Sequence, residues 1–167
     1  MTETRLIIGM DPGGTTGLSW WISPREPTPL SQQLWGQEQI GACSQELGLC
    51  QLFLKLDDII YPYSGNPRSV HLAMEGFDFR KDEQFRTKID YTAAEVIGAT
   101  RFWTALRPQV TLIRSGAGLG KGFWGDDKIK KLNLWVPGKK HAMDARRHLL
   151  RYMVFELQMN ELLLPLR

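Results

Sequence analysis

Residues 6 to 22 constrain the fold more than any other stretch: Leu6-Ile7-Ile8-Gly9-Met10-Asp11-Pro12-Gly13-Gly14-Thr15-Thr16-Gly17-Leu18-Ser19-Trp20-Trp21-Ile22. Two apolar runs rich in strand-forming residues flank a cluster of Pro, Gly and Thr, the pattern of a strand, a tight turn and a second strand folding back on the first. Asp11 follows five residues without a charge, so a buried strand here delivers a carboxylate to the point where the chain leaves the core. Pro12 stops further pairing, and Gly13, Gly14 and Gly17 let backbone pass close to whatever Asp11 holds. Asp-Pro-Gly is also an ordinary turn sequence, so this stretch alone does not separate a site from a corner.

The same device recurs later. Val70-His71-Leu72-Ala73-Met74 is a short apolar run that ends in Glu75, a second strand with an acid at its exit. Between the two, residues 23 to 36 read as a loop, Gln37 to Cys43 as a third antiparallel strand, and Ser44 as the N-cap of a helix that runs to Pro62. Ile89 to Leu106 reads as a second long helix and Val110 to Ile113 as a further strand. This strand, helix, strand order predicts parallel pairs within a mixed sheet. A last helix begins at His141 in His141-Ala142-Met143-Asp144-Ala145-Arg146-Arg147-His148. Residues three apart share a helix face, so His141 and Asp144 point the same way from its first turns.

Charge is unevenly spread. Residues 1 to 113 carry ten Lys/Arg against thirteen Asp/Glu, whereas residues 114 to 151 carry ten against three. That basic segment includes Phe123, Trp124 and Trp135, and a base-rich stretch interleaved with aromatics is what a polyanion-binding surface looks like, although ligand-free basic helices share the pattern. Its glycine run, Ser115 to Gly125, fails the spacing of a phosphate-binding P-loop; Gly120, Gly122 and Gly125 fit G-x-G-x-x-G, but the helical stretch that follows, Asp126 to Leu134, is too short and lysine-rich for a dinucleotide fold. A mobile loop that presents Lys121, with Lys128, Lys130 and Lys131 beyond it, to phosphates is the better reading. Phe77 and Phe79 beside Arg80 and Lys81 read either as a wedge that unstacks bases or as anchors that pack a loop. Cys43 and Cys50 lack metal-site spacing and are expected to be reduced thiols.

Two strand-end acids, with an Asp and a His on one face of a late helix, form a set suited to two hard divalent cations. Such a pair, about 3.5–4 Å apart, activates water and holds a phosphate for in-line displacement. The order of these elements, with Ile8-Gly9-Met10-Asp11-Pro12-Gly13, Ala73-Met74-Glu75 and His141-Ala142-Met143-Asp144-Ala145, resembles the RuvC-type Holliday-junction resolvases of the RNase H-like superfamily over roughly residues 5 to 155. The resemblance implies an α/β RNase H-like fold, a five-stranded mixed sheet flanked by α-helices. It also implies a homodimer that nicks four-way or other branched DNA symmetrically with two Mg²⁺ ions, Mn²⁺ substituting, and leaves 5′-phosphate and 3′-hydroxyl ends. The catalytic and metal-binding set it implies is Asp11, Glu75, His141 and Asp144. His141 stands where many members carry a fourth Asp and some carry His, and either binds metal or moves a proton. Phe77 or Phe79 lies near the family's aromatic wedge, and a bacteriophage member would suit the short chain.

Length suits one domain over 1–167, and no run approaches a membrane span or a signal-peptide core, so a cytoplasmic protein of a bacterial cell or phage-infected host is expected. Three alternatives remain. One is a non-catalytic nucleic-acid-binding relative, another a different RNase H-like nuclease such as a terminase type. The third is an actin-like or sugar-kinase ATP-binding domain, suggested by Asp11 to Gly17. That third fold needs two domains around its nucleotide, so no nucleotide cofactor is expected.

Overall fold

A computed structural model of the chain describes residues 6–23, 33–63, 70–76, 91–116 and 119–166. Five strands, β1 (Leu6–Asp11), β2 (Thr16–Ile22), β3 (Leu34–Ile40), β4 (Val70–Glu75) and β5 (Val110–Ser115), form one sheet in the order β3-β2-β1-β4-β5. The first three strands pair antiparallel, and β4 and β5 add on parallel to β1. This is the mixed sheet expected from the sequence, with β1 at its centre and all six of its residues buried.

Alternation along the central strands assigns the two faces. Leu6, Ile8, Met10, Val70, Leu72 and Met74 pack under α1 (Glu46–Ile60) and α2 (Thr92–Ala105) through Leu52, Leu56, Val96 and Trp103. Ile7 and Ala73 join the opposite core with Leu149, Leu150 and Met153 of α5 (Lys140–Phe155). A strand's side chains alternate with period two, so Asp11 and Glu75 fall on this second face with Ile7 and Ala73. Both acids therefore look toward α5.

Helix α5 lies close to the sheet because two glycines make room. A Cβ at Gly9 would stand 2.0 Å from the Ala145 carbonyl oxygen, and one at Gly17 would stand 2.0 Å from that of His141. Three local expectations change. Strand β3 covers Leu34–Ile40 rather than Gln37 to Cys43, because its pairing with β2 runs from Thr16↔Ile40 to Ile22↔Leu34 and takes in residues expected as loop. Ser44 does not cap α1: the helix starts at Glu46 without a side-chain cap, because a turn closed by Gln45 N–H on the Ala42 carbonyl (2.9 Å) and anchored by buried Cys43 takes up Ser44. The glycine run is no open loop where it is described. Leu119–Phe123 forms a short helix, α3, laid against α5 so closely that a Cβ at Gly120 would meet the His148 Nδ1 at 3.1 Å. A further short helix, α4 (Asp126–Lys131), follows. Cys43 and Cys50 are both free thiols, and no described helix is long and apolar enough to cross a membrane.

Candidate active site

The site forms where β1 and β4 end side by side. Met10 pairs with Met74 across the parallel ladder, and Asp11 and Glu75 each come one residue later. Neighbouring strands run about 4.8 Å apart, so the two carboxylates are adjacent by construction. Asp11 is 8% exposed. Burial raises its carboxyl pKa above the ordinary range; the His141 hydrogen bond pulls it down, the Asp144 charge pushes it up, Lys121 lowers it and Glu75 raises it.

Helix α5 brings three side chains to these acids from one face, at spacings of three and four. His141 Nδ1 lies 3.0 Å from an Asp11 carboxylate oxygen. Asp144, 3% exposed, accepts hydrogen bonds from Lys121 Nζ at 2.8 Å and from Arg147. His148, almost fully buried, holds Nε2 3.4 Å from a Glu75 oxygen, an ion-pair contact, and among the described residues neither ring nitrogen makes a well-formed hydrogen bond. Among the described residues, Asp11, Glu75 and His148 are the group whose ligand atoms all lie within 4.8 Å of one another.

The first turn of α5 is fixed by a single row across the sheet. Gln39, Gly17 and Asp11 are register partners on β3, β2 and β1. Gln39 Oε1 accepts the His141 and Ala142 backbone N–H groups at 2.8 and 3.3 Å, which caps a helix whose own N-cap, Lys139, makes no side-chain cap. Gly17 gives the helix its close approach, and Asp11 meets the imidazole. The second turn is held by Arg147, which donates to Asp144, to Asp126 and, at 2.9 Å, to the Trp124 carbonyl.

The structure thus brings Asp11, Glu75, His141 and Asp144 to one place, His141 on Asp11 and Asp144 between two cations. His148 was missed by the sequence reading. The helical spacing His141, Asp144, His148 carried its signal, one turn beyond where that reading stopped. Lys121 enters the acidic cluster itself: burial draws its pKa down, but the hydrogen bond and charge of Asp144, with Asp11 and Glu75, outweigh this and raise it. Lys128 donates to the Phe123 carbonyl (2.9 Å) and stands 3.9 Å from that ring's centroid; Lys130 stands 5.1 Å from the centroid of Trp135; Lys131 is exposed. Phe77, Phe79, Arg80 and Lys81 lie outside the described residues.

A buried imidazole beside two carboxylates, with ligand atoms of all three within 4.8 Å of one another, is a mixed nitrogen and oxygen donor set. It fits a divalent cation that accepts mixed oxygen and imidazole ligands, a set that Mn²⁺ takes more readily than the oxygen-preferring Mg²⁺. Sheet order, α5 across the central strands and acids at adjacent strand ends together define an RNase H-like α/β fold. Among solved structures that share it, Thermus thermophilus RuvC in complex with a Holliday junction substrate superposes with a TM-score of 0.63 at 16% identity, covering 92% of this chain and 96% of that one. A second T. thermophilus RuvC structure gives 0.61 at 17% identity, covering 93% and 97%. At these identities the likeness is one of fold. No family profile and no curated protein matches the sequence.

Proposed function

We propose that the protein is a metal-dependent endonuclease that resolves four-way DNA junctions by paired symmetric nicks as a homodimer, leaving 5′-phosphate and 3′-hydroxyl ends. The observation that carries this reading is the convergence of Asp11, Glu75 and His148 with His141 and Asp144 at the ends of β1 and β4. The junction-bound relative of the same fold supplies the substrate class. Asp11, Glu75 and His148 would hold metal, with Asp144 available once Lys121 or Arg147 yields an oxygen. Bound divalent ions supply water activation and charge neutralisation at the phosphate. The chain's own residues do the rest. In this reading His141, 3.0 Å from Asp11, orients that carboxylate and accepts a proton from attacking water. Arg147 fixes Asp144, and the Lys121 ammonium adds positive charge among three acids that would otherwise repel a phosphate.

The two cations on Asp144 also support a second reading, a DNA-binding relative without catalysis. One assay separates them: incubation with Mg²⁺ or Mn²⁺ and a synthetic four-way junction, run beside linear duplex, flaps and RNA–DNA hybrid. Symmetric nicks in the junction are expected. Asp11→Asn should lose cleavage by at least about a hundredfold, equivalent to about 2.7 kcal/mol, and keep junction binding, since it removes a ligand and leaves the basic surface intact. Cleavage of that variant at the wild-type rate would sink the site assignment.

A further inference from the structure

A cavity of about 570 Å³ opens beside the acids, between the first turns of α5, the 134–138 connection and the start of α4. Its volume is in the range of small-molecule pockets and exceeds what one nucleobase fills. Its lining combines Trp135, Val136 and Met143 with the exposed Lys139 and Lys140 and the Arg147–Asp126 pair. Lys121 and Asp144 belong to both the cavity and the acidic cluster, so whatever enters one is next to the other. The apolar lining offers stacking and apolar contact, the two lysines attract phosphate, and Asp126 offers a carboxylate acceptor. Asp126 is half exposed and receives Arg147 on one oxygen, with the other oxygen unpartnered among the described residues.

From this arrangement we propose that the cavity seats one unstacked nucleobase of the bound DNA, next to the phosphate to be cut, and that Asp126 favours a base with an exocyclic amino group over thymine. The proposal rests on the nuclease reading above and adds to it a base-selective contact. A carboxylate accepts from the amino group of cytosine, whereas it faces carbonyl oxygens on both flanks of the thymine imide N–H. Stacking against an aromatic ring accounts for the affinity, and its loss is expected to weaken binding about tenfold.

The test measures binding in EDTA, so that no cut occurs, on junctions that carry a single abasic residue at each position within two nucleotides of the nick. One position is expected to lose about tenfold in affinity and the others little. Two variants fill the cavity: Val136→Trp, at an exposed position, and Gly125→Phe, where the backbone is extended and an added Cβ meets no atom within 4 Å. In either, provided thermal unfolding is unchanged, the intact junction should bind about as weakly as the abasic one and the abasic penalty should vanish. Asp126→Asn should bring thymine at that position level with cytosine. Indifference to base loss at every position, or wild-type affinity in both cavity-filled variants, overturns the base seat and leaves the nuclease reading standing if Mg²⁺ then yields symmetric nicks. Failure to bind any junction overturns both.

Discussion

Asp11 is a carboxyl group held in a setting that disfavours its charge. Its raised pKa means that, without metal, the native state holds the Asp11 proton more tightly than the unfolded chain does. Stability from this group is full below the ordinary carboxylate pKa and is lost as pH rises through the raised native value. The metal-free Asp11→Asn variant should therefore unfold at a higher temperature than wild type at neutral pH, by roughly 2–4 °C for each kcal/mol recovered in a chain of this size. The gap should close as pH falls through the carboxylate range, and thermal melts in EDTA across pH check it. The two histidines should differ. His148 is buried with Nε2 3.4 Å from Glu75, whereas His141 is already bonded to Asp11 and more open to solvent. His148→Ala should weaken Mn²⁺ binding by at least about tenfold and His141→Ala by less; calorimetric titration that ranks them the other way would exchange their roles.

At the scale of elements, the site depends on how closely α5 can lie on β1 and β2. Gly9 and Gly17 set that distance, since a methyl at either would drive into a helix carbonyl. Gly9→Ala should cost about 3 kcal/mol, toward the top of what overpacking costs. It should also lower cleavage beyond what lost folding explains, because lifting α5 moves His141, Asp144 and His148 off the acids together. Denaturant unfolding and single-turnover cleavage of the folded fraction separate the two effects. Gln39 works against the same displacement from the far strand, closing a helix N-terminus that has no cap of its own. Only with register in hand does this glutamine acquire a role: nothing near it in sequence marks it as a cap for a helix that starts a hundred residues later.

Across the whole molecule, positive charge concentrates in residues 114 to 151, the same segment that supplies α5 and the walls of the cavity. The basic side chains differ in what they can give to DNA. Lys128 is tied to the Phe123 carbonyl and ring, while Lys131 stands exposed at the end of α4. Lys131→Ala should thus flatten the log–log salt dependence of junction binding by about one unit, and Lys128→Ala should flatten it less and cost some stability instead. Filter-binding or anisotropy titrations from low to high salt decide this, and equal slopes for the two variants would refute the distinction. Arg146 is basic by composition yet contributes nothing to the surface: it is buried against Ser19 and the Leu134 carbonyl, and burial lowers its pKa to about 10.

The sequence by itself determined most of the elements and the two strand-end acids, because strand patterning and turn chemistry are local and period two assigns every residue of a buried strand to a face; the bounds of β3 and the short helix α3 came only with the fold. From β1, β4 and the opening of α5 it also placed Asp11, Glu75, His141 and Asp144 as candidates for one site. What it left undecided was how those residues divide the work. Lys121 and Arg147 on Asp144, His148 beside Glu75, and Gln39 on the end of α5 are contacts between segments far apart in the chain. Their pairing follows from the register of the sheet and the depth at which a helix settles onto two glycines, and those quantities exist only once the chain has folded.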